Sequence, residues 1–366
     1  MKKVLLATSA LAATAGLASA QGVAVTGTAQ MGILGGDWVK NRGAVNNTGT
    51  EESPTYAGGD VIPGQSEYEL HTDIDVTFTM SGQTDTGLTF GASIDLDESD
   101  GDGDEGASPA FAGRTEGGET IFISGGFGTL TMGDTDGALD WALQETAIGG
   151  SLGDVHTTHA GYSGNGIADA EQVARYDYSF GDFGVALSAN ISDDASYDDI
   201  LAVGAKYNAS LAAMELGVGL GYTQLGKEGK EDDAIGVSLD ADFNNGFRAI
   251  LNWVDMGAAN NTDDNGEQYI GVGLGYTVND WTIAANWGQI SEDRPNTDND
   301  PEQSGYALVV NYDLGGGAEV QFGYSKASCG EHGVVTDNSD CRHGTAPNII
   351  DVPDGDRISL GVAMSF

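Results

Sequence analysis

A chain of 366 residues with 56 acidic against 14 basic side chains has a formal net charge of −42. Such a chain repels phosphate backbones and anionic headgroups, which excludes nucleic-acid binding and favours a solvated, cation-attracting surface. Beyond its first twenty residues the chain offers no run of eighteen or so apolar residues, so a transmembrane helix is excluded as well.

At the N-terminus, Lys2 and Lys3 precede an apolar run from Val4 to Leu17 that ends in Ala18-Ser19-Ala20. This is the pattern of a secretory signal peptide over residues 1–20, with cleavage expected before Gln21 and residues 21–366 forming a single domain. The next informative signal is period-two alternation. From Glu67 to Met80, Tyr68, Leu70, Ile74, Val76, Phe78 and Met80 share one face, while Glu69, His71, Asp73, Asp75, Thr77 and Thr79 share the other. Successive strand side chains point to opposite faces, so the strand is apolar on one side and ionisable on the other.

The pattern recurs in Leu88–Asp97, Met214–Thr223, Ile235–Phe243 and Arg357–Phe366. In all, sixteen strands are predicted, near residues 22–34, 67–81, 88–98, 120–126, 129–134, 173–180, 184–192, 200–208, 213–224, 234–243, 247–255, 268–277, 281–290, 304–313, 318–326 and 356–366. The segments in which the alternation is clearest have about the length needed to cross a bilayer at a tilt. Their connections alternate between long acidic stretches and tight turns such as Gly181-Asp182, Asn244-Asn245-Gly246 and Gly315-Gly316-Gly317. Long loops on one side and short turns on the other describe an all-β, transmembrane, antiparallel barrel. An even strand count lets the first and last strands pair, removing the open edges that lipid does not tolerate. Tyr68, Tyr178, Phe180, Tyr207, Tyr222, Phe243, Phe247, Trp281, Tyr306, Tyr312 and Phe366 fall near strand ends on the apolar face and read as interfacial girdles.

Several segments resemble the general-diffusion porins of alphaproteobacteria: FTMSGQTDTGLTFGASIDLDES from Phe78, IFISGGFGTLTMGD from Ile121, RYDYSFGDFGVALSANISDD from Arg175 and NYDLGGGAEVQFGY from Asn311. The terminal strand ending in Phe366 resembles the signature by which such barrels are assembled into the outer membrane. The resemblance implies a homotrimer of 16-stranded barrels, each narrowed by an inward-folded third loop, passing small polar solutes and ions and surrounded by outer-membrane lipid and lipopolysaccharide. The third loop maps onto residues 134–172, where Ala138–Leu143 suggests one or two helical turns packed on the wall. The resemblance makes Asp134, Asp136, Asp140, Glu145 and Asp154 candidate constriction acids.

Alternation puts Glu69, Asp73, Asp75, Asp95 and Asp97 on the lumen face, with Arg175, Lys206, Arg248 and Arg357 as the bases there. A lumen so rich in acids is expected to concentrate cations. The closely spaced carboxylates of Asp97, Asp100, Asp102 and Asp104 are candidate calcium ligands, with a merely solvated loop as the alternative; no cofactor is required. In an oxidising compartment Cys329 and Cys341 are expected to form a disulfide, worth roughly 3 kcal/mol by loop-closure entropy. His156 and His159 lack a third ligand and carry no metal claim. The runs Gly217–Gly221 and Gly271–Gly275 lack the strand-to-helix context of a nucleotide fingerprint and read as lumen glycines that keep strands flexible and the channel open. No nucleophile elbow or phosphate loop is present, so an enzyme is not expected. A substrate-specific channel on the same scaffold, or a secreted calcium-binding adhesin, are the alternatives to a passive channel.

Overall fold

A strand that is apolar on one face and polar on the other has to meet two different solvents, and its backbone groups have to meet neighbours on both edges. The computed structural model satisfies both demands by closing the sheet. It describes residues 22–36, 46–47, 56–57, 68–97, 118–154, 172–191, 199–227, 230–256, 266–293, 302–329 and 355–366.

The barrel strands are β1 (Gly22–Gly35), β2 (Tyr68–Gln83), β3 (Thr89–Asp97), β4 (Glu119–Gly125), β5 (Gly128–Gly133), β6 (Val173–Phe180), β7 (Phe183–Asn190) and β8 (Ile200–Ser210). They continue as β9 (Met214–Lys227), β10 (Lys230–Phe243), β11 (Phe247–Met256), β12 (Gly266–Val278), β13 (Trp281–Asp293), β14 (Glu302–Gly315), β15 (Ala318–Cys329) and β16 (Gly355–Ser365). Each pairs antiparallel with its neighbours in sequence, and β1 closes the sixteen-stranded ring on β16 in a register running from Thr28↔Ser365 to Gly35↔Ile358. The amide of Phe366 adds a bond to the carbonyl of Gly27 at 2.9 Å, tying the last residue into the seam. A two-residue strand pair, Asn46–Asn47 with Tyr56–Ala57, lies in the first long connection.

All sixteen predicted strands are present, with ends shifted by a few residues. The largest shift corrects an expected loop. Residues 225–233 were predicted to connect two strands, but β9 and β10 run on and pair as far as Lys227↔Lys230, leaving 228–229 between them. The Lys-Glu-Gly-Lys-Glu-Asp-Asp composition reads as loop because it is charged, yet a hairpin that projects into water needs no apolar face. On the other side the turns are tight. Gly315, Gly316 and Gly317 all adopt positive φ, between 69° and 88°, a region open to glycine without steric penalty.

The apolar faces point outward and stay uncovered, as with Leu70 at 87 % exposure, Ile121 and Leu187. Lipid is the solvent that such a surface requires. Rings line the short-turn end of that face in a continuous row: Tyr178 to Phe180 at 6.1 Å, Phe180 to Phe183 at 5.7 Å and Phe183 to Tyr207 at 4.7 Å between centroids. Trp281 with Tyr312, at 4.7 Å, and Phe243 with Phe247, at 6.0 Å, extend the girdle around the barrel. Amphipathic rings favour this depth because one end is apolar and the other wet.

Candidate functional site

The buried core of this molecule lies inside the ring, between the wall and the connection from β5 to β6. Asp136 and Gly137 lead into helix α1 (Ala138–Ala142), as the sequence suggested, and a short 3-10 turn follows at Leu152–Asp154. Between them the chain visits the strands in order. Ala138 meets Ser188 on β7 and Gly204 on β8; Leu139 and Ala142 meet Gly221 and Gly219 on β9. Leu143 meets Gly236 on β10, Thr146 meets Gly273 on β12, Gly150 meets Gln321 on β15, and Leu152 meets Gly361 on β16 and Gly32 on β1. Gly153 completes the path beside Leu34 on β1 and His71 on β2. Strands lie nearly 5 Å apart while an extended residue spans at most about 3.5 Å. So short a segment reaches so many strands only along the inner circumference.

Burial and hydrogen bonds hold it there. Ala138, Leu139, Ala142, Thr146, Ile148 and Leu152 are all buried. Leu139 packs with Ala234, Val254 and Tyr269, and Ile148 with Ile250, Ala284 and Val309. The wall also supplies partners for the loop's backbone. Ala138 N donates to Ser188 Oγ at 2.8 Å, and Gln144 N to Ser238 Oγ at 2.9 Å. Asn252 Nδ2 donates to Gln144 O and Asn311 Nδ2 to Gly150 O, both at 2.8 Å; Gly153 N donates to Gln30 Oε1 at 3.2 Å. Glu319 accepts from Asn311 and Gln321 at 2.8 and 2.9 Å, which orients both amides. Each bond is worth about 1 kcal/mol net, and each buried leucine or isoleucine about 1.5–3 kcal/mol.

The lumen glycines are therefore corrected. Gly219, Gly221, Gly271, Gly273 and Gly275 do not keep the channel open at their own positions, because the loop lies directly on them. A Cβ on Gly219 would sit 2.1 Å from Ala142 O, and one on Gly273 2.0 Å from Thr146 O. Gly217, by contrast, would meet only Asn208 and Asp240. The sequence reading also passed over Ser188, Ser238, Asn252, Asn311 and Gln30. Their signal was present, as small hydroxyls and amides at inner-face positions; so were Ile250 and Val254, apolar where alternation calls for polar.

The predicted bases all fall on the arc that carries the loop. Arg175 (β6) donates from Nη1 to Asp136 O at 2.7 Å and pairs with Asp177 at 3.6 Å. Lys206 (β8) lies 3.6 Å from the centroid of the Trp141 ring and donates to Trp141 O at 3.4 Å. Arg248 (β11) forks onto Asp240 at 3.0 and 2.8 Å. Arg357 lies on β16, opposite Ser325 in register. The remaining arc, β2–β5, contains no Lys or Arg. Its inner face carries Glu69, His71, Asp73, Asp75 and Asp95, the last accepting from Thr77 Oγ1 at 3.0 Å.

Among the candidate constriction acids, Asp134 belongs with the open arc: its Oδ2 and that of Asp95 lie 3.7 and 3.9 Å from the point where a side chain on Gly118 would begin. Asp136 is exposed at the loop's entry, Asp140 is on α1, and Glu145 is exposed on the segment between α1 and the 3-10 turn. Asp97 pairs with Asp75 in backbone register. The side chains of Asp97 and Asp154, the candidate ligands Asp100, Asp102 and Asp104, both histidines of the pair 156 and 159, and the Cys329–Cys341 linkage lie outside the described residues. Among the described residues no group of three His, Cys, Asp or Glu side chains is arranged to hold a metal.

A sequence profile of Gram-negative porins matches residues 7–328. The porin of Rhodobacter capsulatus is 31 % identical over 304 residues, covering 72 % of this chain and 89 % of that protein. A porin structure refined at 1.8 Å superimposes with a TM-score of 0.61 at 22 % identity, covering 94 % of this chain and all of the other. An anion-selective porin from Comamonas acidovorans reaches the same TM-score at 15 % identity, covering 95 % of this chain and all of its own. A closed ring with a lipid-facing exterior, a polar interior and an inward-folded loop, together with these matches, makes the chain a member of the Gram-negative porin family, a diffusion channel of the outer membrane and not an enzyme.

Proposed function

We propose that the channel prefers cations. One observation carries this reading: the inner faces of β2 and β3 carry the carboxylates of Glu69, Asp73, Asp75 and Asp95, strands β2–β5 contain no lysine or arginine, and the lumen bases lie on the loop-bearing arc. Charges of one sign lining a low-dielectric wall raise the local concentration of the opposite ion. The fold alone does not set the preference, since an anion-selective porin shares it. The test is the reversal potential of the purified protein in a planar bilayer under a potassium chloride gradient. A potential of the sign set by potassium supports the reading; one set by chloride overturns it.

The same proposal includes the processing and surroundings of the barrel. Residues 1–20 act as an export leader, so the N-terminus of the protein in outer-membrane fractions is Gln21. The family resemblance supports a homotrimer, which chemical cross-linking in mild detergent would reveal as a three-chain species. The acidic run Asp97 to Asp104 binds calcium; equilibrium dialysis with radioactive calcium and no bound ion would remove that part.

A further inference from the structure

We propose that the bore of this channel is set in part from the wall, by glycines that seat the third loop, notably Gly219 on β9 and Gly273 on β12. The inference rests on the channel assignment and adds residues that determine its size limit.

Over residues 138–153 the loop lies against the inner face, and its distance from that face bears on how much of the lumen stays open. At three points a carbonyl of the loop presses on the wall's backbone layer, the first where a Cβ on Gly204 would approach Ala138 O to 1.9 Å. A Cβ on Gly219 would approach Ala142 O to 2.1 Å and a Cβ on Gly273 would approach Thr146 O to 2.0 Å. Real Cβ atoms do not tolerate such distances, and the atoms in the way are carbonyls, not the ends of pliable side chains. Either strand would have to leave the barrel ladder or the loop would have to move inward. Ladder bonds on both edges hold the strands. The loop is the softer partner, so a side chain at either glycine displaces it toward the open arc.

Gly217 provides the comparison. It shares β9 and the inner face with Gly219, yet a side chain there would meet Asn208 Oδ1 at 3.2 Å and Asp240 Cβ at 3.4 Å, and not the loop.

The test uses the full-length protein in planar bilayers and in liposomes that report entry of sugars of graded size. Gly219→Val and Gly273→Val are each expected to lose on the order of half the single-channel conductance and to exclude sugars that the parent admits, because current and entry both follow open cross-section. Gly217→Val is expected to match the parent. Parent-like conductance and size limit in Gly219→Val and Gly273→Val, or an equal loss in Gly217→Val, overturn the proposal. If the valine variants do not assemble, deletion of residues 139–151 in the Gly219→Val background decides. Restored assembly shows that the glycine serves the loop's seat, whereas continued failure shows that it serves the strand and overturns the proposal. A parent protein that does not conduct would instead defeat the channel reading itself.

Discussion

The arcs β2–β5 and β7–β16 present the same apolar exterior to lipid but have different interiors. The first is lined by ionisable and hydroxyl groups, including the Ser93–Thr120 hydroxyl pair at 2.7 Å. The second carries glycines, amides and apolar residues such as Ile250 and Val254, and meets protein. The comparison shows that the inner face of a barrel strand is not one environment. What lies opposite it decides which residues are favoured, and here the residues from Ala138 to Gly153 set a loop-bearing arc apart from an acidic one.

Removing the charge of the acidic arc gives the largest expected effect. Asp73→Asn, Asp75→Asn and Asp95→Asn together should lower the cation-to-anion permeability ratio by roughly tenfold, read as a shift of the reversal potential toward zero, because focusing by a charged cleft is worth about that much or more. An unchanged ratio would mean that the two arcs do not divide the electrostatic work. The same measurement in rising salt should show the preference fading as the screening length shortens below about 10 Å.

On the loop-bearing arc, Leu152→Ala removes a fully buried side chain wedged between Gly32 and Gly361. It should cost about 2–5 kcal/mol of loop attachment and increase open-channel noise, with the barrel itself retained. Asn311→Ala deprives Gly150 O of its donor and should cost about 1–3 kcal/mol, seen as faster amide exchange around residues 149–151. The smallest effect is expected for Lys206→Met, which loses the contact with the Trp141 ring and should cost about 0.5–1 kcal/mol with little change in conductance. A larger effect than that of Leu152→Ala would mean that charge, and not packing, seats the loop.

Much of this was legible in the residues. Alternation located the sixteen strands and assigned Tyr68, Leu70 and Ile74 outward and Glu69, Asp73 and Asp75 inward, and Ala138–Leu143 announced the helix. What alternation does not carry is the identity of the opposing surface. The Gly-x-Gly-x-Gly runs of β9 and β12 were visible as inner-face glycines, but water and a closely packed loop are both compatible with a missing side chain. Arg175 and Lys206 were visible as lumen bases, but their partners, the carbonyls of Asp136 and Trp141, lie 39 and 65 residues away in sequence.

The amino-acid order by itself determined that these strands exist, which side of each is apolar and that the sheet closes, because those properties follow from side-chain chemistry at a spacing of two. Only the tertiary structure decided which part of the inner wall seats residues 138–153 and where the bases are held. Those outcomes depend on where a single long connection comes to rest, and that is set by contacts summed over strands β7–β16, β1 and β2, each invisible from its own neighbours in sequence.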